Sequence, residues 1–412
     1  MLTNRKLVTL WSAILLFSLI VSCFPVCLAQ QSITPPVAEI VPKADTLFGN
    51  VRIDNYFWLR DRANPEVMKY LEAENGYTEA MMKPTEEFQE QLYKELLGRI
   101  KETDFSVPEK IDDYYYYSRT EEGKQYPIYC RKKGGLEASE AILLDQNALA
   151  VGHKYLEVGV FKISPDHQLL AYSVDTTGSE AYTLYVKDLN TGKLLGDEIP
   201  NTDYSTEWSN DNKTIFYTVL DESKRPYKLY RHTLGTKPKE DVLVYYEPDQ
   251  AYELSLKKTK NKEYLLMNLE SETTSEVRYL KADHPTEDFR VVHSRQHEME
   301  YSVDQHGDKF FIVTNDNAKN FKLMEAPVSD PSKNNWKEVI PYSDSVKIDD
   351  IDVFKNHLVV YERERGLKRI YVLNLTTNEG HYVDFPEPVY TFWQVRNPDL
   401  VIVKHLTPII LV

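Results

Sequence analysis

The feature that most constrains this chain is a repeat. Apolar, strand-forming runs recur as YYYYSR around Tyr115, LLAYSVD around Ala171, IFYTVLD around Phe216, YLLMNLE around Leu266, FFIVTND around Phe311 and LVVYERE around Val359. The spacings between these anchors are 56, 45, 50, 45 and 48 residues. A short strand and a polar turn (SPDHQ, SNDNK, TKNKE, DQHGD, FKNHL) precede the later runs, and a further strand such as LYVKDL, LYRHTL, VRYLKA, KLMEAP or IYVLNL follows. Phe161–Leu195 shows the pattern at its clearest, three strands separated by turns rich in Pro, Asp, Gly and Asn. One such meander cannot bury its own faces, and self-similarity at this period with about four strands per unit predicts a β-propeller. A β-sandwich or an array of small β domains is the rival, and six linker-free units of near-constant length favour the propeller. A seventh unit opens at Tyr390 with TFWQVRNPD but has only 22 residues before Val412. The last blade is therefore expected to be incomplete.

The remaining composition narrows the function classes. With 42% hydrophobic and 27% charged residues the 412-residue chain is of ordinary globular balance. Its net charge of −15 opposes nucleic-acid binding, which needs clustered Lys and Arg. Residues 1–29 carry Arg5 and Lys6, an apolar core over Leu7–Val21 and a small-residue site, Cys27-Leu28-Ala29, before Gln30. This is the layout of a secretory signal peptide, so a periplasmic or secreted protein with no stable membrane span after processing is expected. Lipoprotein processing at Cys23 is the alternative, with Val21 a poor fit to a lipobox. Of three cysteines, only Cys130 then remains, and it reads as a buried structural thiol.

Residues 30–104 form a different segment. Pro35, Pro36 and Pro42 keep 32–47 extended, DNYFWLRD concentrates aromatics, and two helices are predicted, one from Pro65 through LEAENGYTEAMM and one from about Thr85 to Ile100. The propeller should occupy 105–398, followed by a divergent tail at 399–412.

Residues able to do chemistry are scarce. No Gly-x-Ser-x-Gly elbow, Walker loop or Gly-x-Gly-x-x-Gly occurs. His293 and His297 have the spacing of helical metal ligands but lie in strand and turn sequence, so they read as solvated loop residues. Asp349, Asp350 and Asp352 lack the Gly and terminal Glu of a calcium loop and read as a charged blade edge. The stretch Glu362–Arg369 reads as a charged hairpin with a solvated turn. No catalytic residue, metal ligand or cofactor is assigned, and no substrate-binding residue can be named.

The run RIDNYFWLRDRANPEVMKYLEAENGYTEAMM resembles the N-terminal region of oligopeptidase B, in the prolyl oligopeptidase family of serine peptidases. So do GKQYPIYCRKK, ISPDHQLLAYSVDTTGSEAYTL, RPYKLYRHTLGT, DVLVYYE, TNDNAKNFKL and GLKRIYV, the likeness covering about Pro35 to Pro398. The resemblance implies a seven-bladed propeller seated over an α/β-hydrolase domain, with the N-terminal segment wrapped on the latter. It also implies a Ser-Asp-His triad acting on short peptides after Arg or Lys, under a propeller that restricts access. No position here matches that triad, and LVIVKHLTPIILV departs from the family's continuation after VRNPD. The expectation is thus the N-terminal portion of a secreted oligopeptidase, cut short by a frameshift or stop and inactive alone. A stand-alone propeller binding module and one half of a split enzyme, its hydrolase domain supplied in trans, are the alternatives. Without a hydrolase surface, Phe57, Trp58, Leu71 and Tyr77 are expected to lack a docking partner.

Overall fold

The computed structural model describes residues 33–394 and 397–400, together with the backbone of the strand Ile409–Leu411. The leader lies outside the described residues. The chain divides into two compact units, one ending at Lys101 and the other beginning at Glu102.

The first unit has little interior. Lys43–Leu47 and Asn50–Asp54 pair as an antiparallel hairpin whose turn, Phe48-Gly49, takes positive φ at both residues. The proline-rich reading of 32–47 misses this hairpin, because only Gly49 of the turn is a residue that favours left-handed backbone. Phe57–Arg60 makes one 3-10 turn. The Trp58 indole donates to the Glu39 carbonyl at 2.9 Å, and the Lys43 ammonium lies 3.1 Å from the centroid of the Phe57 ring. Helix α1, Pro65–Met82, starts where expected: Asn64 accepts from the Glu66 amide at 3.0 Å and Pro65 fills the first helical position. Helix α2 is Glu86–Leu97. Of the apolar residues on both helices only Val67 is buried.

The second unit is a succession of antiparallel sheets. Blade 1 is Glu109–Ile111, Tyr114–Arg119, Ile128–Lys133 and Ala141–Asp145. Blade 2 begins with Glu157–Ile163, Leu169–Asp175 and Tyr182–Asp188. Its fourth strand is the first part of Leu194–Trp208, which continues without a break as the inner strand of blade 3. Blade 3 then adds Thr214–Leu220, Pro226–Thr233 and Val242–Tyr246. Blade 4 is Glu253–Lys258, Tyr264–Glu270, Ser275–Lys281 and Arg290–His293, and blade 5 is Tyr301–His306, Lys309–Thr314, Lys322–Pro327 and Lys337–Ile340. Blade 6 is Val346–Val353, His357–Glu364, Leu367–Asn374 and Gly380–Tyr382. In the seventh position Tyr390–Phe392 pairs with Ile409–Leu411, so part of the divergent tail serves as a strand.

All six anchor residues of the repeat fall on the second strand of their blade. Those strands are near-continuously apolar because a blade has no core of its own and is covered on each face by a neighbour. The clusters show this directly. Ala171 and Leu184 of blade 2 meet Trp208 and Ile215 of blade 3, Tyr264 and Leu266 of blade 4 meet Phe310 and Ile312 of blade 5, and Val359 and Tyr361 of blade 6 meet Phe392. Between the first and second strands the chain reverses through residues with positive φ at comparable places, namely Asp112, His167, Asn212, Lys262 and Gly307. Asn and Gly take this conformation readily, whereas His and Lys do so less often.

Asp349, Asp350 and Asp352 do stand on a blade edge, since Val346–Val353 is an edge strand that pairs only with His357–Glu364, but it is the inner edge, where burial raises the Asp350 and Asp352 carboxyls. Two readings need correction. His293 is not solvated: it ends the outer strand of blade 4 and packs edge-on against Trp336 with ring centroids 5.7 Å apart, and burial lowers its proton affinity. His297 is exposed, as expected. The charged hairpin forms with Arg365 and Gly366 at its turn, but Glu362 is buried within it.

Candidate functional site

The inner strands of the blades converge on a central channel, and at the end where those strands turn into the second strands lies a cavity of about 530 Å³. Every blade contributes to its wall: Glu109, Lys162, Glu207, Lys258, Asp304 and Asp352 from blades 1 to 6, and Gln394, Asn397 and Pro398 from the seventh. Register accounts for most of this placement. The inner-strand residue paired with each anchor is charged in all six blades: Lys110 opposite Tyr115, Lys162 opposite Ala171, Glu207 opposite Phe216, Lys257 opposite Leu266, Asp304 opposite Phe311 and Asp352 opposite Val359. In blades 2, 3, 5 and 6 that residue itself lines the cavity, whereas in blades 1 and 4 its charged neighbour, Glu109 or Lys258, does. Inner strands in a propeller ring one axis, so charges at one register level form a collar.

Ion pairs stitch the collar together. Lys162 pairs with Glu207 between adjacent blades 2 and 3. Two further pairs reach between blades that are not neighbours. Lys260, in the turn of blade 4, pairs with Asp352 of blade 6, and Lys262 of the same turn reaches Asp112 in the turn of blade 1 at 2.5 Å. Burial pushes the Asp352 carboxyl up and the Lys260 ammonium down, each only partly opposed by the other's charge. At Asp112 burial also acts to raise the carboxyl, but hydrogen bonds from Lys262 and His167 outweigh it and hold the group below its ordinary range. The turn Thr259–Lys262 is thus tied to blades 1 and 6 across the channel end.

Beside this latch Tyr116, His167 and Asp112 form a hydrogen-bonded series. The Tyr116 hydroxyl lies 2.7 Å from His167 Nδ1, and His167 Nε2 lies 2.9 Å from the Asp112 carboxylate. The order of groups is that of a nucleophile, base and orienting acid, but the phenol cannot serve as nucleophile. Burial pushes Tyr116 up to about 12, its ring is in contact with His167, and Arg131 fixes the turn by donating to the His167 carbonyl at 2.6 Å. The series joins blade 1 to blade 2. Cys130 is equally inert, being buried with its thiol pushed up to about 11. Among the described residues no cluster of His, Cys, Asp and Glu could hold a metal ion, and no helix is long and apolar enough to cross a membrane.

Comparison with known proteins identifies the family. The family described as "Prolyl oligopeptidase, N-terminal beta-propeller domain" matches residues 35–399. The chain belongs to the prolyl oligopeptidase family. Within it, the chain is 37% identical over 363 residues to "Protease 2" of Moraxella lacunata, covering 86% of this chain and 52% of that protein. It is 35% identical over 391 residues to "Dipeptidyl aminopeptidase BI" of Pseudoxanthomonas mexicana, covering 90% of this chain and 54% of that protein. Among solved structures, oligopeptidase B from Leishmania major superimposes with a TM-score of 0.84 at 30% identity, covering 92% of this chain and 57% of that one. Oligopeptidase B from Trypanosoma brucei, solved in closed form with covalently bound antipain, gives 0.80 at 30% identity, covering 87% of this chain and 54% of that one. The chain spans about half the length of the relatives it matches, and what it contributes is the propeller of an oligopeptidase B-like peptidase.

No local pattern names the collar residues one at a time, since each is a single charged residue in a short strand. The usable signal is register: a charge stands opposite the anchor in every repeat, and that residue or its charged neighbour lines the cavity in blades 1 to 6.

Proposed function

We propose that this chain is the access-controlling part of an exported serine oligopeptidase of the oligopeptidase B type, and that its 412 residues do not cleave peptides by themselves. The observation that carries the reading is the family match over 35–399 combined with a channel whose turn end is crossed by the Lys260–Asp352 and Lys262–Asp112 pairs. In this reading short peptides carrying Arg or Lys are the substrates. A hydrolase domain, in cis or in trans, supplies the nucleophile. The exposed apolar residues Leu71, Phe88, Leu92 and Leu96 of α1 and α2 are what that domain would cover.

The test uses the purified chain with an Arg-containing reporter peptide and a serine-directed covalent label. Neither cleavage nor labelling is expected from the chain alone, and stoichiometric labelling overturns the reading. Adding the C-terminal half of Protease 2 as a separate chain should protect α1 and α2 from hydrogen exchange. Export is tested by N-terminal sequencing of protein recovered from the periplasm: a start at Gln30 fits signal-peptide cleavage, an acylated Cys23 fits lipoprotein processing, and an intact Met1 overturns both.

A further inference from the structure

The lysines around the channel-end cavity are not equivalent. Lys162 is held by Glu207, Lys260 by Asp352 and Lys262 by Asp112. Lys258, which also lines the cavity, has a neutral group for its hydrogen-bond partner: its ammonium donates to the Asn210 side-chain carbonyl at 3.0 Å. That amide is locked, since Asn210 Nδ2 donates to the Lys262 carbonyl and to the Asp283 carboxylate, both at 2.8 Å. The oxygen is therefore oriented toward Lys258 and cannot flip away without breaking two bonds. Burial pushes Lys258 down to about 8, with Glu207 opposing and Lys262 and Lys162 reinforcing the fall. This is the condition of an ammonium removed from water without a full counter-charge. Four carboxylates line the wall, Glu109, Glu207, Asp304 and Asp352; of these Glu207 is engaged by Lys162 and Asp352 by Lys260, and Asp283, behind the wall, is turned toward Asn210.

The geometry points to a carboxylate-binding site at the channel end, in which Lys258 supplies the charge and the lysine turn of blade 4 forms the wall, taking the C-terminal carboxylate of a short peptide. The cavity volume lies in the range of small-ligand pockets, about 300–1,000 Å³. A carboxylate is the ligand group that an incompletely neutralised, pre-oriented ammonium favours most, because their mutual attraction and charge-assisted hydrogen bond offset the cost of taking both ions out of water. Amides and alcohols would accept a hydrogen bond from the ammonium without neutralising its charge. That the carboxylate belongs to a short peptide rests on the proposed function, whereas the preference for a carboxylate rests on the cavity, so loss of that preference leaves the peptidase reading untouched.

The test compares N-acetyl-glycyl-glycine with N-acetyl-glycyl-glycine amide by ligand-observed NMR on the full chain. These probes differ only in the terminal charge. The acid is expected to bind at least tenfold more tightly than the amide. In Lys258→Met that preference should vanish, with the thermal midpoint measured alongside to verify folding. Should Lys258→Met not fold, Lys258→Gln keeps a polar group at the site and carries the same expectation. Equal binding of acid and amide by the wild-type chain, absence of binding by either, or an undiminished preference in a folded Lys258 variant would each overturn the proposal.

Discussion

In helix α2 and the residue turn that follows, Phe88, Leu92, Leu96 and Ile100 recur every fourth residue and all remain exposed, Phe88 at 62%. In blade 5, Phe310, Ile312, Leu323 and Ala326 are of the same chemical type and all are buried, Phe310 at 0%. Both regions were recognisable from apolar periodicity, and both formed the elements that periodicity predicts. They differ in whether a second surface is present within the same unit. A blade meets its covering surface 45 to 56 residues further along the chain, whereas the sheet among the first unit's described residues is the hairpin Lys43–Leu47 with Asn50–Asp54, too small to cover two helices. Periodicity therefore reports which face an element must bury, while burial itself depends on a partner.

That contrast can be broken or sharpened by substitution. The largest effect is expected at Phe310, which packs edge-on against Tyr264 and Tyr279. Phe310→Ala should cost about 3–5 kcal/mol in urea unfolding followed by near-ultraviolet circular dichroism. A cost below about 1 kcal/mol would mean that blades 4 and 5 do not share a core. Next is Val67→Ala, which removes the buried apolar side chain of α1. A local loss on the order of 1–2 kcal/mol is expected, read as faster amide exchange over 65–82 with the propeller unaffected.

A third prediction concerns His232, fully buried between Asp241 at 2.7 Å and Asp197 at 3.0 Å, with Tyr217 donating to Asp241 and the Gly235 amide to Asp197. Burial opposes the imidazolium, but the two carboxylates outweigh it and raise the group's proton affinity. A raised folded-state value means that the folded chain holds this proton where the unfolded chain has released it. The resulting stability is complete below the unfolded value of about 6.5 and is lost as pH rises through the folded one. The unfolding free energy from urea titrations should therefore decline as pH rises from about 6.5 toward the folded-state value, at no more than about 1.4 kcal/mol per pH unit from this single proton. His232→Gln should flatten the decline, and an unchanged slope in the variant would remove His232 as its source. The smallest effect is expected at the α1 cap, where Asn64→Ala should cost about 1 kcal/mol of helix stability, visible as reduced helical circular dichroism with an unchanged propeller transition.

The sequence disclosed the blades because their second strands are buried on both faces, which leaves an unbroken apolar run flanked by polar turns. Leu194–Trp208 was harder to read. Pro200, Asn201 and Asp203 carry the residue types of a turn, and Asn201 does adopt positive φ, yet the strand absorbs them as bulges and continues. The channel end was least legible. Lys260 and Lys262 lie 92 and 150 residues from Asp352 and Asp112, and no local pattern predicts which charge a turn will meet across an axis. His167 carried one hint, as a bulky residue where the turn favours Asn or Gly, explained by its two side-chain hydrogen bonds.

The strand shared by blades 2 and 3 has a mechanical consequence. A ring of separate blades can breathe at any seam, since adjacent sheets slide on side chains alone. Between blades 2 and 3 there is no seam, because parting them means bending one backbone that is hydrogen-bonded on both sides. This pair is the stiff sector of the hoop. Any widening of the channel must be taken up elsewhere on the circumference, where the lysine turn of blade 4 fastens distant sectors with charge instead of backbone.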